Sequence, residues 1–521
     1  MNIIKSFSLM SFLTLLSRIL GYIRDLFFAF IFGASSTGDS FLLAFRLPNL
    51  FRRLFAEGAI SNAFIPIYLD LKKKNKKVLE AFSTNVCFLL LAILLFIIIL
   101  AEIYMFNIIK FLAPGFSENL IKKTSFLASI MFPYLVFISL SSFFGAMLNA
   151  NGRYALWAFS PIILNSLMIA GMSLSYFQSL ISEIVLAWSV ILSGIIQFLV
   201  MFFWSYKNKL RIKNIKLQAN PEVRKFFKLF LPNILAGGVL QLNQFVGIIF
   251  ASSITGAISW LYYADRIVQL PLGIFVVSIS TILLTMLSKY ESENNKKEVK
   301  EKTDIACLLM TAFTLISMIG LFVISDLIVD TLFRRGQFGF GDVVATSDAL
   351  IMYAIGLPAF GYIRIFSVIF FSKKNTKTPF YISTISMLTN FLFLIFLTNK
   401  MGHLGIALSL SLSGWINAVL LYIFLWKYGY WSLDKIFFIK LLKLFFCAFL
   451  SYIVLSISYM FVLYVDNFSL DGFIPKIITL IFLILIASIT FLIFSFIFKL
   501  IKSNDIKKMK LKNIFKEKEN G

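Results

Sequence analysis

The chain is short of the residues on which most catalytic and disulfide-stapled proteins depend. Of its 521 residues only His403 is histidine, three are cysteine and 25 are Asp or Glu, and charged residues of every kind make up 14%. A single histidine, placed in a short loop, leaves no cluster for acid–base or metal chemistry and is assigned no role. Cys87, Cys307 and Cys447 lie far apart in apolar stretches. None has a partner at metal-ligand spacing, so they read as buried thiols, neither disulfides nor ligands. Soluble domains run at about 25% charged and about 45–50% apolar residues. Here 59% of residues are hydrophobic and 17% aromatic, which excludes an ordinary soluble protein and a disordered one. The stretch from Met1 to Leu20 does not read as a cleavable signal, because Arg18 interrupts it and no small-residue cleavage site comes after it.

What is present is a series of long apolar runs. A spanning helix needs about 20 apolar residues. Runs bounded by charge or turn residues give fourteen candidates, at 9–33, 38–68, 82–106, 124–149, 155–177, 181–206, 224–252, 258–288, 303–325, 343–371, 379–398, 402–427, 437–464 and 474–500. The fold class is therefore all-α and polytopic. The net charge of +24 would suggest nucleic acid in a soluble chain, but the basic residues sit in short gaps between apolar runs, as cytoplasmic loops do. Lys72, Lys73, Lys74, Lys76 and Lys77 follow the second run, Lys207 to Lys228 surround the gap after the sixth, and Lys289 to Lys302 follow the eighth. The gaps on the other side, around 33–38, 177–183 and 253–257, have neither Lys nor Arg. Lys110, Lys122, Lys123, Arg334 and Arg335 are the main exceptions. This asymmetry predicts a multi-pass protein with both termini in the cytoplasm. No nucleic-acid partner is expected, and the basic tail at 501–521 can rest on anionic headgroups.

The sequence repeats itself at an offset near 220 residues. Ala44-Phe45-Arg46 matches Ala264-Asp265-Arg266, and Ala187 with Ser193-Gly194 matches Ala407 with Ser413-Gly414. Pro133 matches Pro358 and Asn165 matches Asn390 at a slightly longer offset. Six spans per repeat is an even number, so both halves insert with the same orientation. The expectation is two six-helix lobes, 1–215 and 220–430, in a parallel pseudo-two-fold repeat with a ligand site between the halves. Two extra C-terminal helices at 435–500 fall outside the repeat.

Ionisable residues inside the runs are the informative ones, because each costs about 2.5–3.5 kcal/mol at the bilayer centre on insertion scales. The first run holds Arg18, Arg24 and Asp25, and the second Asp39, Arg46, Arg52, Arg53 and Glu57. Asp265 and Arg266 lie in the eighth and Arg364 in the tenth. Residues seven apart share a helix face, so Asp39, Arg46 and Arg53 form a stripe that Glu57 continues, and Arg18 shares a face with Asp25. Pro48 and Gly58 are expected breaks. Asp25, Asp39 and Glu57 read as structural counter-charges. The arginines outnumber them, and an excess of cations asks for an anionic ligand. A guanidinium suits phosphate because its planar fork donates two parallel hydrogen bonds and stays charged. A diphosphate is the natural candidate.

Longer motifs sharpen this reading. Ser17-Arg18-Ile19-Leu20-Gly21-Tyr22-Ile23-Arg24-Asp25 resembles the opening motif of the MurJ (MviN) lipid II flippases. So does Asp39 with Phe45-Arg46-Leu47-Pro48-Asn49-Leu50-Phe51-Arg52-Arg53-Leu54-Phe55-Ala56-Glu57-Gly58-Ala59. Phe64-Ile65-Pro66, Ala113-Pro114-Gly115-Phe116 and Trp260-Leu261-Tyr262-Tyr263-Ala264-Asp265-Arg266 are similar to further family motifs. The resemblance spans essentially the whole chain. It implies membership of the multidrug/oligosaccharidyl-lipid/polysaccharide exporter superfamily, with fourteen helices and a groove for a lipid tail formed by the last two.

The implied activity is to move lipid II, an undecaprenyl-diphosphate-linked muropeptide, from the cytoplasmic to the periplasmic leaflet of the bacterial inner membrane. The partners implied are lipid II and membrane lipids, with no cofactor. Carried over by motif, the substrate-binding residues are Arg18, Arg24, Arg52 and Arg266, with Asp25, Asp39, Arg46, Arg53, Glu57 and Asp265 in support. The motif favours Arg52 where the helical stripe favours Arg53. Two departures stand out. Gln269 occupies a place that is acidic in some members, and the seventh, eleventh and twelfth runs contain no Asp or Glu, although some members use carboxylates there for sodium. No sodium site is therefore expected, and membrane potential is the expected drive. Rival readings are a drug antiporter, which would want unpaired carboxylates, an exporter of another undecaprenyl-linked oligosaccharide, a glycosyltransferase, and a scaffold for cell-wall synthesis proteins.

Overall fold

The structure, a computed structural model, describes residues 3–56, 59–153, 155–179, 181–208, 210, 221–465 and 472–500. Glu57, Gly58, most of the basic gap at 211–220 and the tail from 501 lie outside the described residues. All regular secondary structure among the described residues is helical: α1 (Ile3–Phe32), α2 (Ser36–Phe51), a π-helical turn (Arg52–Ala56), α3 (Ala59–Lys74), α4 (Lys76–Leu112), α5 (Glu118–Met131), α6 (Tyr134–Ala150), α7 (Ala155–Gln178), α8 (Ser182–Lys207), α9 (Pro221–Ala251) and α10 (Ala257–Pro271). A second π-helical turn (Leu272–Val276) comes next, then α11 (Val277–Ser292), α12 (Lys296–Val323), α13 (Ser325–Phe333), α14 (Phe340–Ala354), α15 (Leu357–Ser372), α16 (Lys377–Met401), α17 (His403–Lys427), α18 (Lys435–Val465) and α19 (Phe473–Ile497). The fold is all-α and polytopic.

Helix occupies each of the fourteen expected segments. Among the described residues, ten helical stretches are long and apolar enough to cross a membrane, and α14 with α15 makes an eleventh across a bend of 41°. The remaining expected spans coincide with α1, with α2 and α3 on either side of the π-helical turn, and with α9. In the first two of these, arginines and carboxylates dilute the apolar run.

Packing divides the chain into two compact units, Met1–Trp260 with Phe333–Asp342, and Leu261–Leu332 with Val343–Gly521. In the first unit Phe64 and Phe143 meet edge-on at 4.9 Å and Phe82 stacks on Phe64. The core of the second gathers Leu283, Cys307, Ile369 and Phe370 with Trp431. All three cysteines are free and buried.

Equivalent breaks recur in the two units. Pro133 separates α5 from α6, and Pro358 begins α15 after the bend from α14. Gly194 lies against Tyr134, and Gly414 against Phe360, so closely that a Cβ would come within 2.6 Å and 2.8 Å of the respective rings. Both glycines serve close helix contact. His403 starts α17, and its ring is 3.0 Å from the Ala345 carbonyl. In the second unit the short helix α13 is held by the C-terminal pair: Tyr459 of α18 donates to Asp326 at 2.7 Å, and Lys476 of α19 pairs with Asp330.

Candidate functional site

The buried charges of α1 are held by α7. Arg24 and Asp25 are 6% and 2% exposed. Arg24 donates from Nη2 to Asp25 Oδ1 at 2.7 Å, from Nε to the same oxygen at 3.1 Å, and from Nη1 to Asn165 Oδ1 at 3.1 Å. Asn165 in turn donates to the Ser17 carbonyl at 3.1 Å. The missing side chain of Gly21 lets the two helices approach, since a Cβ there would be 3.3 Å from Asn165 Nδ2. A buried ion pair is tolerated only when its geometry is good and its remaining hydrogen-bonding groups are satisfied. Asn165 supplies that third contact. In the sequence it stands out only as a repeat position, and a lone Asn in an apolar run is the signal that could have found it. Arg18, one face round, is exposed.

The second charged segment is broken where its arginines begin. α2 starts at a Ser35 cap whose hydroxyl accepts from the Gly38 N–H. It runs through Pro48 as helix, and the register changes at Arg52–Ala56, which forms a π-helical turn. Such turns add a residue and are frequent at functional sites. The added residue rotates the downstream helix, so the stripe of Asp39, Arg46 and Arg53 does not continue as one face. Arg52 Nε donates to Asn49 Oδ1 at 2.9 Å, and Arg46 and Arg53 are half-buried.

Asp39 is not the counter-charge expected for that stripe. Its carboxylate accepts from the Gly256 N–H at 2.7 Å, the Ser259 N–H at 2.8 Å and the Ser259 hydroxyl at 2.7 Å. Asp39 is 1% exposed and meets no arginine among the described residues. It caps the first turn of α10, where backbone donors lack intrahelical partners and the helix dipole favours an anion. Asp342, which no sequence motif marks, braces the same turn. It accepts from the Trp260 indole at 2.9 Å and from the Gly339 N–H at 3.1 Å. A polar cavity of about 420 Å³ opens beside Asp39, lined by Ser36, Lys123, Ser252 and Thr255. Lys123 there pairs with Glu183 at 2.7 Å and donates to Thr37. Glu102 in α4, likewise unmarked by any motif, follows the apolar stretch 88–101 and hydrogen-bonds Ser129.

In the second unit Arg266 is half-buried. Its guanidinium lies 5.0 Å from the centre of the Tyr262 ring one turn back, and Nη2 donates to the Tyr262 hydroxyl at 3.0 Å. The stacking holds the fork in one orientation. Asp265 accepts from Gln269 at 3.3 Å. Arg364 reaches the Ser280 hydroxyl at 3.4 Å, a helix-to-helix contact. Among the described residues no three His, Cys, Asp or Glu side chains gather as a metal site. The structure therefore brings Arg24 together with Asp25 and Asn165, leaves Arg18 exposed, and places Arg52 and Arg53 on an irregular turn. What these groups offer chemically is a set of oriented, permanently charged donors for an anion.

The sequence profile of the lipid II flippase MurJ family matches residues 28–475. Among curated relatives, the probable lipid II flippase MurJ of Rickettsia prowazekii is 38% identical over 81% of this chain and 83% of its own length. That of Buchnera aphidicola subsp. Acyrthosiphon pisum is 36% identical over 94% of this chain and 96% of its own. Among solved structures, lipid II flippase MurJ in an inward closed conformation superposes with a TM-score of 0.79 at 31% identity, covering 94% of this chain and 98% of that one. An inward-facing multidrug resistance transporter of the MATE family shares the fold, with a TM-score of 0.67 at 13% identity over 78% of this chain and 93% of that one. The chain belongs to the MurJ family of lipid II flippases.

Proposed function

We propose that this protein moves lipid II from the cytoplasmic to the periplasmic leaflet of the bacterial inner membrane by alternating access, without chemical conversion of its cargo. The family match along nearly the whole chain carries this reading. The buried, hydrogen-bonded Arg24 supports it at the level of the site. A diphosphate linkage presents several anionic oxygens and no apolar surface. Arg24, Arg52 and Arg266 donate to those oxygens, with Arg18 in support. Asp25 orients the Arg24 fork, and Asp39 holds the first turn of the helix that bears Arg266.

The isoprenoid chain stays in lipid along α18 and α19. These two helices pack together, and their outer faces, with Phe461, Tyr464, Ile478 and Phe482, are exposed and apolar. Both termini face the cytoplasm, a reading that the basic gaps support. Each elementary charge carried across the membrane is worth about 2.3 kcal/mol per 100 mV. An unloaded set of arginines is drawn back toward a negative cytoplasm, and the diphosphate neutralises them for the outward step.

The test is leaflet-resolved transport in sealed proteoliposomes. Replacing lipid II by another undecaprenyl-linked oligosaccharide separates this reading from the related exporter. Transport of the oligosaccharide with none of lipid II would overturn the cargo assignment.

A further inference from the structure

The loop joining α13 to α14 is fastened to the end of α1. The Gln337 N–H donates to the Phe30 carbonyl at 2.9 Å. Gly336, at φ +58°, packs so tightly that a Cβ would lie 2.2 Å from the Phe30 oxygen, and a Cβ on Gly33 would lie 2.5 Å from the Gln337 oxygen. Phe333 and Phe338 are each 1% exposed, and the Phe333 ring lies 6.5 Å from that of Tyr22. This packing places the half-buried Arg335, between Phe333 and Gln337 in sequence, on a segment lodged against α1 from Tyr22 to Phe30. Arg335 and Asp25 both act electrostatically on Tyr22, whose hydroxyl oxygen is buried and makes no hydrogen bond among the described residues. In sequence Arg335 is only an exception to the loop-charge asymmetry.

The buried Tyr22 hydroxyl therefore lies in the field of both Arg335, from a separate segment of the chain, and Asp25. Arg24 holds Asp25 directly, and in doing so commits Nε and Nη2 to one carboxylate oxygen while Nη1 serves Asn165. A guanidinium has five N–H donors. One already engaged in this way must loosen its hold on Asp25 before it can present a fork to a diphosphate. A buried carboxylate stripped of its partner is strongly destabilising, so the exchange needs a second cation.

We propose that Arg335 is a positioning residue for headgroup binding: it neutralises Asp25 when Arg24 turns to the diphosphate. The proposal rests on the reading that Arg24 takes the diphosphate. It makes Asp25 a carboxylate shared in turn by two arginines, and Arg335 acts on the cargo only through that exchange.

The test is a double-mutant cycle on the full-length protein in lipid nanodiscs, with undecaprenyl diphosphate as the probe and native mass spectrometry as the readout. Arg335→Gln should weaken binding roughly tenfold, because Arg24 then stays on Asp25. In an Asp25→Asn background the same replacement should change affinity less than about twofold, since no charge is left to neutralise. Arg335→Lys, which keeps the charge, should retain most of the affinity. Unchanged affinity in Arg335→Gln, or the same loss in both backgrounds, overturns the proposal. If Asp25→Asn does not accumulate, phenylglyoxal labelling of Arg24 reads the exchange in the single variant. Less protection of Arg24 by the probe than in the parent supports it, and equal protection overturns it. Retained binding in Arg24→Gln would instead refute the underlying diphosphate reading, whereas loss there with additive Arg335 effects refutes only the coupling.

Discussion

The Asp39 carboxylate accepts both the backbone N–H and the hydroxyl of Ser259, at 2.8 Å and 2.7 Å, across a sequence separation of 220 residues. That separation is also the offset at which Arg46 matches Arg266. The start of α2 thus caps the start of α10, and the cap is a side chain from a different helix. Truncating Asp39 to Ala leaves the buried N–H groups of Gly256 and Ser259 without an acceptor, which costs about 1–3 kcal/mol for each group orphaned. The expected outcome is a clear fall in the melting temperature of the detergent-solubilised protein. Ser259→Ala, which removes only the hydroxyl contact, should fall less. Equal melting temperatures for Asp39→Ala and the parent would show that the cap is not needed.

Arg24 is expected to be the least replaceable of the arginines. Arg24→Glu places a second carboxylate against Asp25 inside the bundle and removes the donor fork, so transport should be abolished at normal expression. Asn165→Ala removes the Asn165 contact on Arg24 and frees the Ser17 carbonyl. Transport should fall while the protein still folds, because a single hydrogen bond to a charged group contributes about 1.5–3 kcal/mol. Leaflet-resolved transport and size-exclusion profiles of both variants check this, and full transport in Arg24→Glu would remove it from the site.

Gly33 and Gly336 both occupy the left-handed region, at φ +57° and +58°, where the α1 end meets the Arg335 loop. Alanine at either position carries a strained backbone and a clash with a carbonyl oxygen. Gly33→Ala should destabilise by about 1–3 kcal/mol, whereas Gly152→Ala, also at positive φ but with open space around it, should cost less. Thermal unfolding of the two variants compares them directly. A larger loss for Gly152→Ala would contradict the packing described for the loop.

A pH dependence is expected at Asp434, in the loop between α17 and α18. Lys300 at 2.6 Å, and then the Phe437 N–H, hold its carboxyl below the usual carboxylate range. A depressed folded value means that the contact stabilises the protein above the ordinary carboxylate pKa and that this contribution is lost as the pH falls through the lowered one. The pair is substantially exposed, so its contribution is about 0–1 kcal/mol. Asp434→Asn should melt slightly below the parent at pH 7, and the two should converge at acid pH once the lowered pKa has been passed. Parallel curves at both pH values would show that ionisation of Asp434 is not involved.

The helices are legible in the sequence because each is an uninterrupted apolar run, and the arginines of α1 and α2 because charge is so rare there. The pairing of Arg24 with Asp25 is less so. Helical phase puts Arg18 on the Asp25 face, whereas adjacent side chains meet here by folding back on one another with Asn165 as the third member. Proline chemistry predicts the break in α2 at Pro48, which the helix absorbs, and the register shifts four residues later at the π-helical turn. Backbone register of that kind leaves no mark in hydrophobic periodicity. A carboxylate near arginines suggests ion pairing, so Asp39 reads as a counter-charge, yet its partners are backbone N–H groups more than 200 residues away. Asp342 and Arg335 sit at or beside a connecting segment, and only tertiary packing brings them to α10 and α1.

The most direct test of the flippase reading uses sealed proteoliposomes containing the purified protein and lipid II, with an externally added enzyme that cleaves the headgroup to report which leaflet holds it. The expected result is a protein-dependent change in the accessible fraction that disappears in Arg24→Glu, shifts with an imposed membrane potential and is indifferent to sodium. An accessible fraction unchanged by correctly folded protein would contradict lipid II transport by the chain alone, and a strict sodium requirement would contradict the proposed drive.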